Sequence, residues 1–157
     1  MTGWRIGYIA SSKEIAGACN KMQGQFTSAP SGISQMATIA AMEMDPAELR
    51  PMVNEFKKRR ELMITGLSAI EGLVCNRPEG AFYLFPKVSS LFGKSHNGRQ
   101  INNAGDLCMY LLEMAHVATV SGGAFGADEY IRLSYAASEE DLQKALNRIK
   151  SAIEQLS

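Results

Sequence analysis

Tyr130-Ile131-Arg132-Leu133-Ser134-Tyr135 decides how the second half of this chain folds, because its residue types alternate with a period of two. In an extended strand Ile131, Leu133 and Tyr135 share one face, while Arg132 and Ser134 share the other. Working outward, the apolar run 117–120 is a second strand, joined to the first by the glycine-rich loop 121–127. Upstream of it, Asn103 followed by Asp106 predicts a helix start, with Leu107, Cys108, Leu111, Leu112 and Ala115 on its apolar face. Residues 93–98 read as a polar loop. Residues 73–76 and 81–86 are strand candidates flanking the turn Pro78-Glu79-Gly80. Downstream, Ser138 with Asp141 caps a final amphipathic helix through Leu142, Ala145, Leu146, Ile149, Ile153 and Leu156. The order helix-β-β-α-β-β-α predicts a two-layer α/β sandwich with its helices on one sheet face.

The first third reads differently. Residues 4–10 are short and apolar, bounded by Gly3 and Ser11-Ser12, and predict a buried strand. Ser11 with Glu14 is a capping-box signal, so a helix is expected from about residue 12 towards residue 23. A second helix is expected from about Ser31, with Ile33, Met36, Ala37, Ala40, Ala41 and Met44 on one face. Asp45-Pro46 is a helix-start signal, and Pro51 restarts a helix whose stripe is Val53, Phe56, Met63, Leu67 and Ile70. It is expected to end near Gly72. A boundary near residue 50 therefore separates residues 1–50 from a self-contained α/β domain over 51–157.

Composition excludes several functions. Sixteen basic residues balance sixteen acidic ones, so no global field draws nucleic acid or an anionic membrane. The run Lys57-Lys58-Arg59-Arg60 reads as the solvated face of a helix. Cys19, Cys75 and Cys108 have no paired spacing, and His96 and His116 have no ligand spacing. Neither a disulfide framework nor a metal site is expected, and a reducing, cytoplasmic setting is. No apolar stretch approaches the roughly 18 residues of a membrane helix, and residues 1–5 carry no signal-peptide pattern.

Two arginines stand where charge is costly. Arg5 lies inside the apolar run 4–10, on the strand face it would share with Gly7. With no side chain at Gly7, a planar phosphorylated group could lie flat there while Arg5 takes its phosphate. Arg132, in the middle of its own strand, wants an anion, and a planar carboxylate is the best geometric match. For both, a structural ion pair is the competing reading. The loop Gly122-Gly123-Ala124-Phe125-Gly126 precedes a strand rather than a helix, so it reads as a connection and not a phosphate cradle. Phe82 and Tyr83 read either as core or as stacking groups, and the nine methionines as core filler.

Taken together, Met1-Thr2-Gly3-Trp4-Arg5-Ile6-Gly7-Tyr8, Gly80-Ala81-Phe82-Tyr83, and Phe125-Gly126 followed by Tyr130-Ile131-Arg132-Leu133-Ser134-Tyr135-Ala136 resemble the signatures of class I and II aminotransferases of the aspartate aminotransferase fold. They lie in family order across essentially the whole chain. The resemblance implies the fold type I small domain plus the last strand and helices of the large cofactor domain. Residues 1–50 would be that large-domain piece with interface helices, and residues 51–157 the small domain. It implies that Arg5 binds the phosphate of pyridoxal phosphate and that Arg132 binds the substrate carboxylate. Phe82 would edge the substrate pocket, and residues 25–28 would lie near a dimer interface. The family usually has Pro-Gly where this chain has Ser121-Gly122.

The Schiff-base lysine is expected ahead of Met1, so no catalytic residue is assigned within this stretch. Lys13 and Lys21 do not occupy its position. The expectation is therefore the C-terminal portion of an aminotransferase that moves an amino group between an amino acid, aspartate among the candidates, and a 2-oxo acid. A homodimeric parent is expected, and the stretch alone is expected to be inactive. A same-fold lyase, a regulator carrying an aminotransferase-like domain, and a non-catalytic α/β ligand-binding module remain as alternatives.

Overall fold

A helix starts where something satisfies its first unpaired amides, and several starts here are set by side chains. Asn103 accepts from the Asp106 amide, Ser138 from the Asp141 amide, and Asp45 from the Ala47 amide ahead of Pro46. The computed structural model describes residues 1–157, the side chain of Thr2 excepted. They form two compact units, Met1–Arg50 and Pro51–Ser157.

The first unit is a 3-10 turn, Thr2–Trp4, then helices α1 (Lys13–Phe26) and α2 (Gly32–Glu43), then a 3-10 turn at Pro46–Leu49. The strand expected over residues 4–10 is not formed. A strand's amides must pair with a neighbour, and no ladder partner lies beside this stretch among the described residues. Arg5 instead takes a left-handed conformation, φ 54°, straight after the turn. The capping box at Ser11 is also corrected. Ser12 holds the cap position of α1, without a side-chain cap bond. The Ser34 hydroxyl donates to the Trp4 carbonyl at 3.1 Å and is the one buried residue of α2. The apolar face expected for α2 is turned to solvent, with Ile33 and Met36 both exposed.

Helix α3 (Arg50–Ser68), which belongs to the second unit from Pro51 on, is followed by β1 (Tyr83–Leu84), β2 (Ser95–His96), β3 (Arg99–Gln100), α4 (Ala104–Ala115), β4 (Val120–Ser121), β5 (Ile131–Ser134) and α5 (Glu139–Ile153). The main sheet is antiparallel in the order β1-β5-β4. Its register sets Tyr83 against Ser134, Leu84 against Leu133, and Val120 against Arg132. Met63 and Leu67 of α3, Leu107 and Leu111 of α4, Ile131 and Leu133 of β5, and Leu146 and Ile149 of α5 share one core. Each such side chain contributes about 1.5–3 kcal/mol by leaving water. Gly66 brings α3 close to α5, because a β-carbon there would lie 2.5 Å from a Leu146 methyl.

Details differ from the sequence expectation. Residues 73–76 provide only a single bridge, Val74 to Lys87. The loop 93–98 holds a hairpin whose turn residues Asn97 and Gly98 are both left-handed, at φ 50° and 78°. In α4 Leu112 is exposed, and Tyr110 takes a buried place instead. The Tyr110 hydroxyl donates to the Ala152 carbonyl at 2.9 Å and lies 3.0 Å from Nδ1 of His96. The basic run of α3 is not simply solvated. Arg60 is four-fifths buried in its side chain and donates to the Pro78 carbonyl, and Lys58 pairs with Glu139.

Candidate functional site

The sheet's second face is where charge meets aromatic rings. Alternation along β5 turns Ile131 and Leu133 into the core and leaves half-buried Arg132 on the opposite side. Tyr83, beside it on β1, is exposed. The Arg132 guanidinium carbon lies 5.4 Å from the Tyr83 ring centroid and 4.8 Å from that of Phe125. Both distances are within cation–π reach. No carboxylate among the described residues pairs with Arg132. Among the described residues, the structural ion pair considered for this arginine is not formed. A guanidinium half-withdrawn from water, its N–H fork unclaimed by any carboxylate of the described residues, has the chemistry to take an anion, and a planar carboxylate matches its geometry best.

The rings extend on both sides of Arg132. Phe125 meets Phe85 edge-on at 6.0 Å, and Phe85 stacks on Tyr130 at 5.2 Å with 10° between planes. Tyr83 meets Phe82 edge-on at 6.1 Å. Phe82 and Tyr83 are both more than a third exposed, so neither is a core residue. Phe82 sits directly after Ala81, a non-glycine residue at φ 60°. The Tyr135 hydroxyl donates to the Ala81 carbonyl at 3.0 Å, and the Tyr135 amide donates to the Phe82 carbonyl at 2.8 Å. Burial pushes the Tyr135 phenol up, so the proton it donates is retained. Phe82 also lines a cavity of about 300 Å³ with Val53, Phe56, Arg60, Ala81 and Tyr135. Arg132 is not part of that lining.

The loop carrying Phe125 is shaped by backbone. Residues Gly122–Phe125 make a 3-10 turn begun by the Ser121 hydroxyl and closed by left-handed Gly126. The Gly122 amide donates to the Tyr130 carbonyl at 2.8 Å, and the Ala127 amide to the Gly122 carbonyl at 3.0 Å. Sequence reasoning missed Tyr83 and Phe125 as neighbours of Arg132. No spacing signals either contact, since Tyr83 is distant along the chain and Phe125 arrives through a loop.

Arg5 belongs to the first unit. It is exposed, and its left-handed backbone is a strained state for a residue with a β-carbon, costing about 1–2 kcal/mol. Nearby Gly7 is open, since an added β-carbon there would meet nothing within 4 Å. It lines a broad hollow of about 650 Å³ with Tyr8, Ile9, Cys19, Asn20 and Gln23. Among the described residues no group of three potential metal ligands occurs, and no helix is long and apolar enough to cross a membrane. Cys75 and Cys108 are half-buried thiols whose pKa burial pushes up, and Cys19 is an exposed free thiol.

Known proteins share this fold. The sequence model of the family described as aminotransferase class I and II matches residues 1–149. An aspartate aminotransferase of Rhizobium meliloti (strain 1021) is 47% identical, aligned over all of this chain and 38% of its own length. A bifunctional aspartate aminotransferase and glutamate/aspartate-prephenate aminotransferase of Petunia hybrida is 49% identical, over 98% of this chain and 33% of its own. The crystal structure of the aspartate aminotransferase from Rhizobium meliloti superposes with a TM-score of 0.87 at 46% identity, covering all of this chain and 40% of that one. The chain thus spans less than two-fifths of the length of these curated relatives.

Proposed function

This chain belongs to the aminotransferase class I and II family, and from that membership we propose that it supplies the substrate-carboxylate site of a pyridoxal-phosphate-dependent aminotransferase. Residues 51–157 are the small domain of that enzyme, and residues 1–50 are a piece of its large cofactor domain with interface helices. The reaction exchanges the amino group of one amino acid for the oxo group of a 2-oxo acid. Aspartate is the favoured amino acid, because the relatives' names carry it. The working enzyme is a cytoplasmic homodimer.

The observation that carries this reading is the Arg132 guanidinium, set against the rings of Tyr83 and Phe125 with no carboxylate partner among the described residues. Its two-pronged fork takes the α-carboxylate of either substrate and so orients the amino or oxo carbon. Phe82, whose ring meets that of Tyr83, is assigned to the edge of the substrate site.

The cofactor's phosphate suits Arg5, a fixed cation beside the open backbone of Gly7. The chemistry pyridoxal phosphate supplies when bound is temporary storage of an amino group and withdrawal of electrons from the substrate Cα. Arg5 would anchor the phosphate, and Arg132 would take the substrate carboxylate. No lysine of this stretch is assigned to the cofactor.

Replacing Arg132 by alanine in the full-length enzyme tests the reading. Cofactor content should hold. Removing a hydrogen-bonded charge partner costs about 2–5 kcal/mol, so kcat/KM for amino acids should fall about 30- to several-thousand-fold. Amines without a carboxylate should lose far less. Equal losses for both substrate types, in a destabilised protein, would mark Arg132 as structural only.

A further inference from the structure

We infer that Tyr83 and Phe125 are positioning residues: their rings hold the Arg132 guanidinium in place and leave its N–H fork free for the carboxylate. This rests on the reading of Arg132 given above and adds residues that act through it.

The argument begins with what usually fixes an arginine. A carboxylate partner would hold the group in place, but it would also occupy the fork and cancel the charge that an incoming anion needs. Here the contacts come from ring faces 4.8 and 5.4 Å away. Rings attract the cation through their quadrupoles without accepting in-plane N–H bonds. Each ring is itself held. Phe125 rests on Phe85, which is stacked on Tyr130, and the loop that delivers Phe125 has backbone oxygens packed against Gly122. Tyr83 is held in β1 by pairing with Ser134, and its ring meets Phe82.

Both rings stay well exposed, at 37% for Tyr83 and 52% for Phe125. Core packing alone does not account for large rings placed so openly beside one cation. Restricting Arg132 before the substrate arrives lowers the ordering cost of binding. The gain is specific to substrates with a carboxylate.

The test uses the full-length enzyme and compares kcat/KM for an amino acid with that for an amine lacking the carboxylate. Phe125→Leu removes the ring and keeps an apolar side chain. It should lower the amino-acid to amine ratio by about 2- to 30-fold, the range of a cation–π contact. Phe125→Tyr, which restores a ring, should return most of the ratio. Tyr83→Leu and Tyr83→Phe should behave in the same way, giving an independent pair if one variant folds poorly. Arg132→Lys is the reference, retaining charge but losing the planar fork. If both leucine variants leave the ratio unchanged while Arg132→Lys lowers it, the ring assignment is wrong and the carboxylate reading survives. If Arg132→Lys also leaves the ratio unchanged, both fail together.

Discussion

Gly122 has no room for a side chain beneath Ala127. A β-carbon added to it would lie 2.1 Å from the Ala127 carbonyl oxygen and 2.6 Å from that of Tyr130. The loop ending at β5 is therefore folded against the bare backbone of one residue, and the same loop carries Phe125 towards Arg132.

Gly122→Ala should destabilise the second unit by about 1–3 kcal/mol, the range for forcing atoms into a filled space. Gly80→Ala is the control. Nothing lies within 4 Å of an added β-carbon there and its φ is not in the left-handed range, so the change should stay within about 0.5 kcal/mol. Urea unfolding of the two variants measures the difference.

Tyr135→Phe should cost about 0.5–1.5 kcal/mol through the lost hydroxyl bond to the Ala81 carbonyl. Ala81→Gly should recover part of that loss, because glycine relieves a left-handed residue otherwise costing about 1–2 kcal/mol. The relief is offset by about 0.4–1 kcal/mol of extra freedom in the unfolded chain. A double-mutant cycle read by thermal unfolding checks both signs.

Glu139 and Lys58 form an exposed ion pair at 2.6 Å that should give a pH-dependent signature. Hydrogen bonding and charge from Lys58 hold the Glu139 carboxyl below its ordinary value, and Glu139 raises Lys58. The carboxylate's contribution is present above the unfolded-state value and is lost as pH falls through the lower folded one. The lysine's contribution is present below its ordinary value and disappears as pH rises through the raised one. Following the Glu139 carboxyl by NMR should show its midpoint rising towards the ordinary value in Lys58→Met. An unchanged midpoint would remove Lys58 as the cause.

The 157-residue chain alone, mixed with pyridoxal phosphate and reduced with borohydride, should show scattered labelling far below one equivalent. Peptide mapping by mass spectrometry reads this directly. Stoichiometric labelling of Lys13, Lys21 or any other single lysine would overturn the view that this stretch holds no cofactor lysine.

Local rules were legible where their partners are local. Asn103 with Asp106, and Ser138 with Asp141, each close a hydrogen bond across three residues, so sequence and structure agree. The alternation of Ile131, Arg132 and Leu133 carried the fold for the same reason. Residues 4–10 failed as a strand because a ladder needs a neighbour, and hydrophobicity alone cannot provide one. The hairpin at 95–100 is signalled by its Asn97-Gly98 turn pair, which polarity alone reads as a loop. The rings around Arg132 were hidden, because Tyr83 reaches it across the chain and Phe125 through a loop whose path depends on Gly122.

The bond between Tyr110 and Ala152 has one more consequence. A phenol has a single proton, and here it is given to a carbonyl. At 3.0 Å from the same oxygen, the Nδ1 of His96 must then be the donor of the second bond. The neutral imidazole is thereby confined to one tautomer, with its lone pair on Nε2. Nitrogen NMR of His96 would accordingly report whether the hairpin, α4 and the end of α5 are assembled, since releasing any one of them frees the ring to exchange its proton between the two nitrogens.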